Sequence, residues 1–549
     1  MAAPVCRAGF QVPRGVRSNQ TQPSPRLRHA PLHQPWEEIG RRVWRAVVHS
    51  RNALGAAVGM LCLFLASALP ADQMQALRDH MRRGVAHLQQ GESQAAEQEF
   101  RYALQINAGI ADLHDLLGVS LDRQGKHDSA TGSFLKAIEI NPRYPPAHHH
   151  LGVNYIHLHR LDQAYRALAT SLELDPNQPA AHNNLGNIYV QNQQYSLALD
   201  TFQTAHRLDP TNPHILFNLL RTELRLDDKA AAALHADAML RLSNLDVAMA
   251  VRLGRELIQY NQFASAITAY ERALELNPGL TGIHYDLARA YFRTHQFDAS
   301  LRVIERMADA SGHDASYFML AGLNHREKGD LGRAVLYLRR ALEQEPINPD
   351  HTYNLGITLL RTDGIPEAHA LFLAAVERFP SSSDLLYGAG VASFHLGLHE
   401  EAHQFFRDAV QLDPHKAQYH ESLGDVYSAT GQYAQAEGAY NQAIDLDPSN
   451  TDYLLKAGRN YLNLQLRDRA ASTFQKAAEK NSSNPEAHFE IGKIAASRGN
   501  YQTAASYLER AVSLDPELRA AYYQLGLTYR RLGQVEKAAA ALDRYRQLE

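Results

Sequence analysis

The chain has 549 residues, 21% of them charged, a net charge of −4 and two cysteines. With only Cys6 and Cys62 present, residues 63–549 can support neither a disulfide nor thiol chemistry. The charge is unevenly divided: residues 1–70 carry nine arginines against Glu37 and Glu38, a net +7 that leaves −11 on residues 71–549, and a body so acidic argues against nucleic acid as the main partner.

Residues 1–52 hold those arginines, several prolines and no lysine, without a helical period, and read as a disordered segment. An uncharged apolar stretch follows at 53–69. Seventeen residues fall short of the roughly 20 that a spanning helix needs. Arg41, Arg42, Arg45 and Arg51 precede it and Ala66-Ser67-Ala68 offers small residues at cleavage spacing, the pattern of a secretory signal peptide or an uncleaved signal anchor. The basic flank would stay in the cytoplasm and send the rest across the membrane, so the expected location is periplasmic, extracytoplasmic or anchored. A cytoplasmic or organellar location is the alternative. Membrane contact is expected only through 53–69.

After a linker at 70–76, a period of 34 residues runs from Leu77 to the C-terminus without insertion or deletion. A glycine marks it from Gly118, Gly152 and Gly186 through to Gly526, and an alanine twelve residues later follows from Ala130 to Ala538. Proline closes most units, as at Pro142, Pro176 and Pro210. In 417–450, Tyr419, Leu423, Val426 and Tyr427 fall at helical spacing before Thr430-Gly431-Gln432. A second amphipathic stretch from Ala436 to Leu446 then stops at Asp447-Pro448, because proline cannot continue the helix ladder. Each unit is therefore two short antiparallel helices. The small markers let the two helices approach, and the aromatic or leucine four residues after the alanine, such as Phe134 or Tyr440, is expected to pack against the next unit. Unit 213–246 has Leu220 for glycine and unit 281–314 has Ala288 and Ser300 at the markers, so both are expected to stack more loosely.

The spacing Leu-Gly-x-x-Tyr, Ala-x-x-x-Phe, then Pro resembles the tetratricopeptide repeat family, with Leu185 to Tyr189, Ala198 to Phe202 and Pro210 matching residue by residue. The resemblance covers 77–549, about fourteen units. It implies an all-α, right-handed superhelical solenoid of antiparallel helix pairs, with the first helix of each pair on the concave side.

His399-Glu400-Glu401-Ala402-His403 matches the zinc-protease string HExxH. It crosses the turn into a second helix, and Ala402 is the unit's own alanine marker. A metal-dependent hydrolase built on His399, Glu400 and His403 is therefore a minor alternative. Seven histidines recur at one repeat position, His80, His114, His148, His182, His284, His420 and His488; a half-buried ring that serves packing accounts for them. No cofactor or metal is expected, and no catalytic residue.

The candidate binding residues lie on first helices, at positions that the family resemblance places on the concave face. Arg221 and Arg225, Arg255, then Arg289 and Arg293 follow one another through three consecutive units, with Arg252, Asn184 and Asn218 on the same face and Phe217 and Tyr285 nearby. Planar guanidinium forks grip carboxylates in pairs. Asn187, Asn218 and Arg252 also occupy three positions of a peptide-carboxylate clamp known in related repeats, although Asn183 stands where that clamp has a lysine. The expected function is a non-enzymatic scaffold, exported or anchored, that binds extended or acidic protein segments. A structural factor of a cell-envelope complex, acting through convex or end surfaces, is the second reading. The sequence leaves the oligomeric state open.

Overall fold

The computed structural model describes residues 69–311 and 314–548. The arginine-rich segment 1–52 and the apolar stretch up to residue 68 lie outside the described residues. Among the described residues there are 28 helices and no strand, and no helix is long and apolar enough to cross a membrane. The chain forms two compact bodies, one ending at Leu226 and the other beginning at Asp227. Within each, helices alternate in the expected register, for example Ala111–Asp122 with His127–Ile140 and Ala417–Ala429 with Tyr433–Leu446.

The first helix begins earlier than the period does. Residues 71–76, expected as a linker, are the opening turns of the helix Ala71–Gln90, and Met74 is already buried. Nothing between Ala71 and Leu77 interrupts a helix, whereas Pro70 ends the run upstream.

One contact recurs through the units. The marker glycine lies under the aromatic or leucine sixteen residues later in its own unit. A Cβ added to Gly118 would stand 2.5, 2.6 and 2.9 Å from three ring carbons of Phe134. The same pairing joins Gly84 to Phe100, Gly186 to Phe202, Gly254 to Tyr270, Gly424 to Tyr440, and Gly152 to Leu168. The ring also faces the next unit, as expected: Phe134 lies 5.9 Å from the His150 ring, Phe202 clusters with Leu219 and Phe406 with Val426, and Phe372 meets Gly388 of the following unit. The alanine markers from Ala96 to Ala504 are fully buried beside these contacts.

The two irregular units keep their burial by other means. Leu220 stands at the glycine position of its unit and Ala236 at the ring position; both are fully buried. The large and small members of the motif have exchanged places in sequence, a swap that conserves volume. In unit 281–314, Ser300 replaces the alanine and donates to the Ala288 carbonyl at 2.8 Å, while Asn324 Nδ2 donates to Ser300 Oγ at 3.0 Å. The expected loosening is not visible in burial at these markers.

Two kinds of turn set the unit length. Inside every described pair but 349–382 the chain passes through a left-handed residue, glycine at seven places from Gly91 to Gly533. At His159, Gln193, Asp227, Asn261, His295 and Gln465 a side chain takes the same conformation, with φ between 56° and 63°. Between pairs, an asparagine or aspartate closes the turn on itself. Asn141 Oδ1 accepts from the Arg143 N–H, Asp175 from Asn177, Asp447 from Ser449 and Asn481 from Ser483. Such short polar side chains capture the backbone two residues on and so favour turns over helix continuation.

Gly118→Ala is expected to lower stability by about 1–3 kcal/mol, because Phe134 is fully buried and cannot swing aside. Gly132→Ala, in an exposed helical site with nothing within 4 Å, is expected to raise it by about 0.5–1 kcal/mol. Denaturant unfolding of the two variants checks both signs.

Candidate functional site

The recurring histidines do something more specific than packing. Nε2 of His114, His148, His182, His420 and His488 lies 2.9–3.1 Å from the carbonyl six residues earlier, on Ala108, Pro142, Pro176, Pro414 and Ser482. Each ring therefore donates to the turn that precedes its helix. His284 reaches Thr281 with Nδ1 instead, and His80 turns to Glu99. The turn asparagine or aspartate and this histidine hold the entry to the first helix from both sides.

The candidate binding residues fall in both bodies. In the body ending at Leu226, the asparagines tie neighbouring first helices together. Asn218 Nδ2 donates to Asn183 Oδ1 at 2.9 Å, and Asn184 Nδ2 donates to His149 Nε2 at 3.2 Å. Burial, with His150 beside it, holds His149 down at about 3, so its ring is neutral and Nε2 can accept. Asn187 is half-buried on the same helix, Pro179–Gln191. Phe217 is buried, with the Arg221 guanidinium 5.6 Å from its ring centre. Arg225 donates to the Tyr195 hydroxyl at 3.1 Å and lies 5.4 Å from that ring. These arginines are thus held flat on aromatic faces, with both heads still partly in solvent.

In the body beginning at Asp227, Arg252 and Arg255 are exposed on the helix Val247–Gln259, and Arg289 and Arg293 are exposed on His284–Arg293. Arg293 lies 5.2 Å from the Phe263 ring. Arg289 meets Asp286 at 3.6 Å, a loose pair between neighbours on one helix. Arg255 makes no hydrogen bond or ion pair among the described residues. Tyr285 packs edge-on to Tyr317 at 5.4 Å.

Tyr270, the ring over Gly254, completes this cluster. Its side chain is fully buried and, among the described residues, its hydroxyl has no partner within hydrogen-bond distance, the Asp286 carboxylate being the nearby acceptor that acts on it. Burial, with Asp286 adding, pushes its phenol well above the usual value against the pull of Arg255 and Arg289, so it remains a donor. The equivalent ring at Tyr440 shows the satisfied version, donating to Asp425 at 2.8 Å. Asp425 stands at the repeat position that Arg255 occupies five units earlier, and arginine cannot accept. Around Tyr270 the donors therefore outnumber the acceptors. The motif treats Tyr270 as a core ring; a tyrosine where other units carry phenylalanine or leucine was the available signal.

A second aromatic, basic surface was missed. Phe489, Lys493, Arg519, Tyr523 and Tyr545 line a cavity of about 550 Å³. Arg519 lies 4.4 Å from the Tyr545 ring and Lys493 lies 5.0 Å from Phe489, while Lys493 also pairs with Glu490 at 2.9 Å. Phe489 and Tyr523 sit at the same first-helix position as Phe217 and Tyr285, which is how the period could have found them.

The HExxH string does not assemble as a metalloprotease would need. His399 opens the helix His399–Leu412 and stacks near Phe394, His403 Nε2 bonds the Tyr427 hydroxyl at 3.0 Å, and Glu401 faces His369 at 3.3 Å. Its two histidines are engaged with different neighbours.

Tandem helix pairs bearing a continuous register of exposed polar and aromatic side chains define a helical-repeat scaffold for protein binding. Sequence profiles described as tetratricopeptide repeat match residues 81–145, 121–188, 179–212 and 257–323, and overlapping stretches from 319 to 549. The chain belongs to the tetratricopeptide repeat family. It is 29% identical over 110 residues to the cattle BBSome complex member BBS4, spanning 21% of that relative's length and 20% of its own. Among solved structures it is similar to the APC/C hetero-tetramer Cut9-Hcn1 at 13% identity and TM-score 0.39, covering 85% of this chain and 97% of that one. Yeast Tom70 is similar at 16% identity and TM-score 0.38, covering 74% and 92%. PilF of Pseudomonas aeruginosa is similar at 21% and 0.33, covering 38% and 95%.

Tyr270→Phe removes a buried hydroxyl that nothing accepts, so stability is expected to hold or rise. Tyr440→Phe breaks a made bond and leaves Asp425 without that donor, a loss of about 0.5–1.5 kcal/mol. Thermal unfolding of the pair should show opposite signs.

Proposed function

We propose that this chain is a non-enzymatic scaffold that holds an acidic, extended protein segment along the concave face made by its first helices. The observation that carries this reading is the donor surplus at Arg255, Arg289 and Tyr270. Two exposed guanidinium groups and one buried hydroxyl act on one another there, and among the described residues Asp286, loosely paired with Arg289 and beyond hydrogen-bond distance of the hydroxyl, is the acceptor at hand. A carboxylate from a partner supplies the missing acceptor: it pairs with both arginines, displaces Asp286 and opens the way to the phenol. Tyr285 and Tyr317 flank the spot with apolar surface for the adjoining side chain. Arg221 and Arg225, beside the rings of Phe217 and Tyr195, offer similar chemistry within the other body, taken by itself.

The apolar stretch 53–69 with its basic flank supports export or anchoring, so the scaffold works outside the cytoplasm. N-terminal sequencing of the protein from its own cells tests this part: a mature start near Leu69, or a full-length chain in the membrane fraction, agrees with it. A full-length chain found in the soluble cytoplasm would overturn it.

For the site, an acidic peptide library is expected to bind more tightly than its amidated counterpart. Arg255→Glu with Arg289→Glu should weaken binding about tenfold or more, as loss of charge-assisted hydrogen bonds implies. Unchanged affinity in the double variant, with helical content intact, removes this site.

A further inference from the structure

The helix pairs 111–144 and 145–178 bring together three metal-ligating side chains that the protein-binding face does not use. Asp122 ends the helix Ala111–Asp122, His127 opens His127–Ile140, and His157 ends Pro145–His157. The turn through Gly125 folds His127 back on Asp122, and a step of one repeat plus one residue sets His157 beside them. Asp122 Oδ1 lies 2.8 Å from His127 Nδ1 and 3.0 Å from His157 Nδ1. All three ligand atoms fall within 4.8 Å of one another, the one such group of three among the described residues.

The spacing suits a tetrahedral ion. With metal–nitrogen distances of about 2.0–2.1 Å and ring centres roughly 3.2 Å from the metal, two coordinating imidazoles stand about 5.2 Å apart, centre to centre. The rings of His127 and His157 are 5.1 Å apart. Tetrahedral ligand atoms are about 3.3 Å from one another, so the carboxylate oxygen needs to withdraw only a few tenths of an ångström. Both rings then carry their proton on Nε2, leaving Nδ1 free to coordinate. The Asp122 side chain is 16% exposed and His157 45%, which gives an ion a route from solvent. The flanking cations are occupied elsewhere: Arg123 donates to the Leu88 carbonyl at 2.9 Å, and Lys126 pairs with Glu97 at 2.9 Å.

We propose that Asp122, His127 and His157 form a three-ligand site for a divalent transition metal of the zinc type. Two ligands come from one helix pair and the third from the next, so the ion fastens the pairs to each other. The fourth position is left to water. Imidazole nitrogen and one carboxylate favour zinc or cobalt over calcium or magnesium, which prefer oxygen.

The test uses the full-length protein with Zn²⁺ alone, followed by calorimetry, and with Co²⁺, whose visible bands report tetrahedral coordination. One tight equivalent is expected, with a melting temperature that rises with zinc. His127→Gln or His157→Gln should weaken that equivalent at least tenfold and abolish the cobalt bands. Asp122→Asn keeps the shape of the side chain and should weaken binding less. His399→Gln with His403→Gln should leave it unchanged, which separates this site from the HExxH string and from surface histidines. Absence of a tight equivalent in the wild type, or its survival in a folded His127→Gln/His157→Gln variant, would overturn the proposal.

Discussion

The structure rests on a glycine pressed against a ring. In each regular unit the first helix offers a backbone without a Cβ, and the second helix lays an aromatic or leucine side chain across it. The contact fixes the separation of the two helices, because interiors are packed closely enough that one added methyl group is felt. It also orients the alanine marker, which fills what remains. A whole unit is thus specified by three residues at fixed offsets, and repetition does the rest.

The turns explain why the period never slips. Most exits from a second helix are closed by an asparagine or aspartate that captures its own backbone, and several entries to the following helix are held by a histidine bonded to the same loop. An extra residue would break both attachments together. The abundance of histidine in this chain is therefore partly structural. It reflects a ring donor of the right reach, repeated at the start of five first helices.

Much of the fold was legible because periodicity is a property of sequence as much as of space. The helix pairs, the alanine markers and the register from Gly118 to Gly526 follow directly from it. The ring's seat on the glycine of its own pair did not, since offset along the chain cannot say that a side chain facing the next unit also covers a backbone within its own. Residues 71–76 were misread because the repeat begins at Leu77 while the helix begins at Ala71. The first-helix arginines were found by position, but the buried donor at Tyr270 was hidden by its role in the motif. The cluster of Asp122, His127 and His157 escaped for a different reason. Its members occupy three unrelated repeat positions, and only the turn and the stacking of two pairs make them neighbours.

The left-handed residue inside nearly every pair has a consequence for how the chain yields. From His159 to His295, five consecutive turns place a residue with a side chain where other units place glycine. Each holds its backbone about 1 kcal/mol or more uphill, less for Asp227 and Asn261, whose short polar side chains accept the conformation more readily. That strain is not concentrated at one hinge but shared among neighbours. It makes the middle of the chain a soft stretch between stiffer ends, so fraying under heat or tension should begin there and travel outward unit by unit. The same stretch carries Arg221, Arg255 and Arg289, so the proposed site lies in the part of the chain most able to adjust to an occupant.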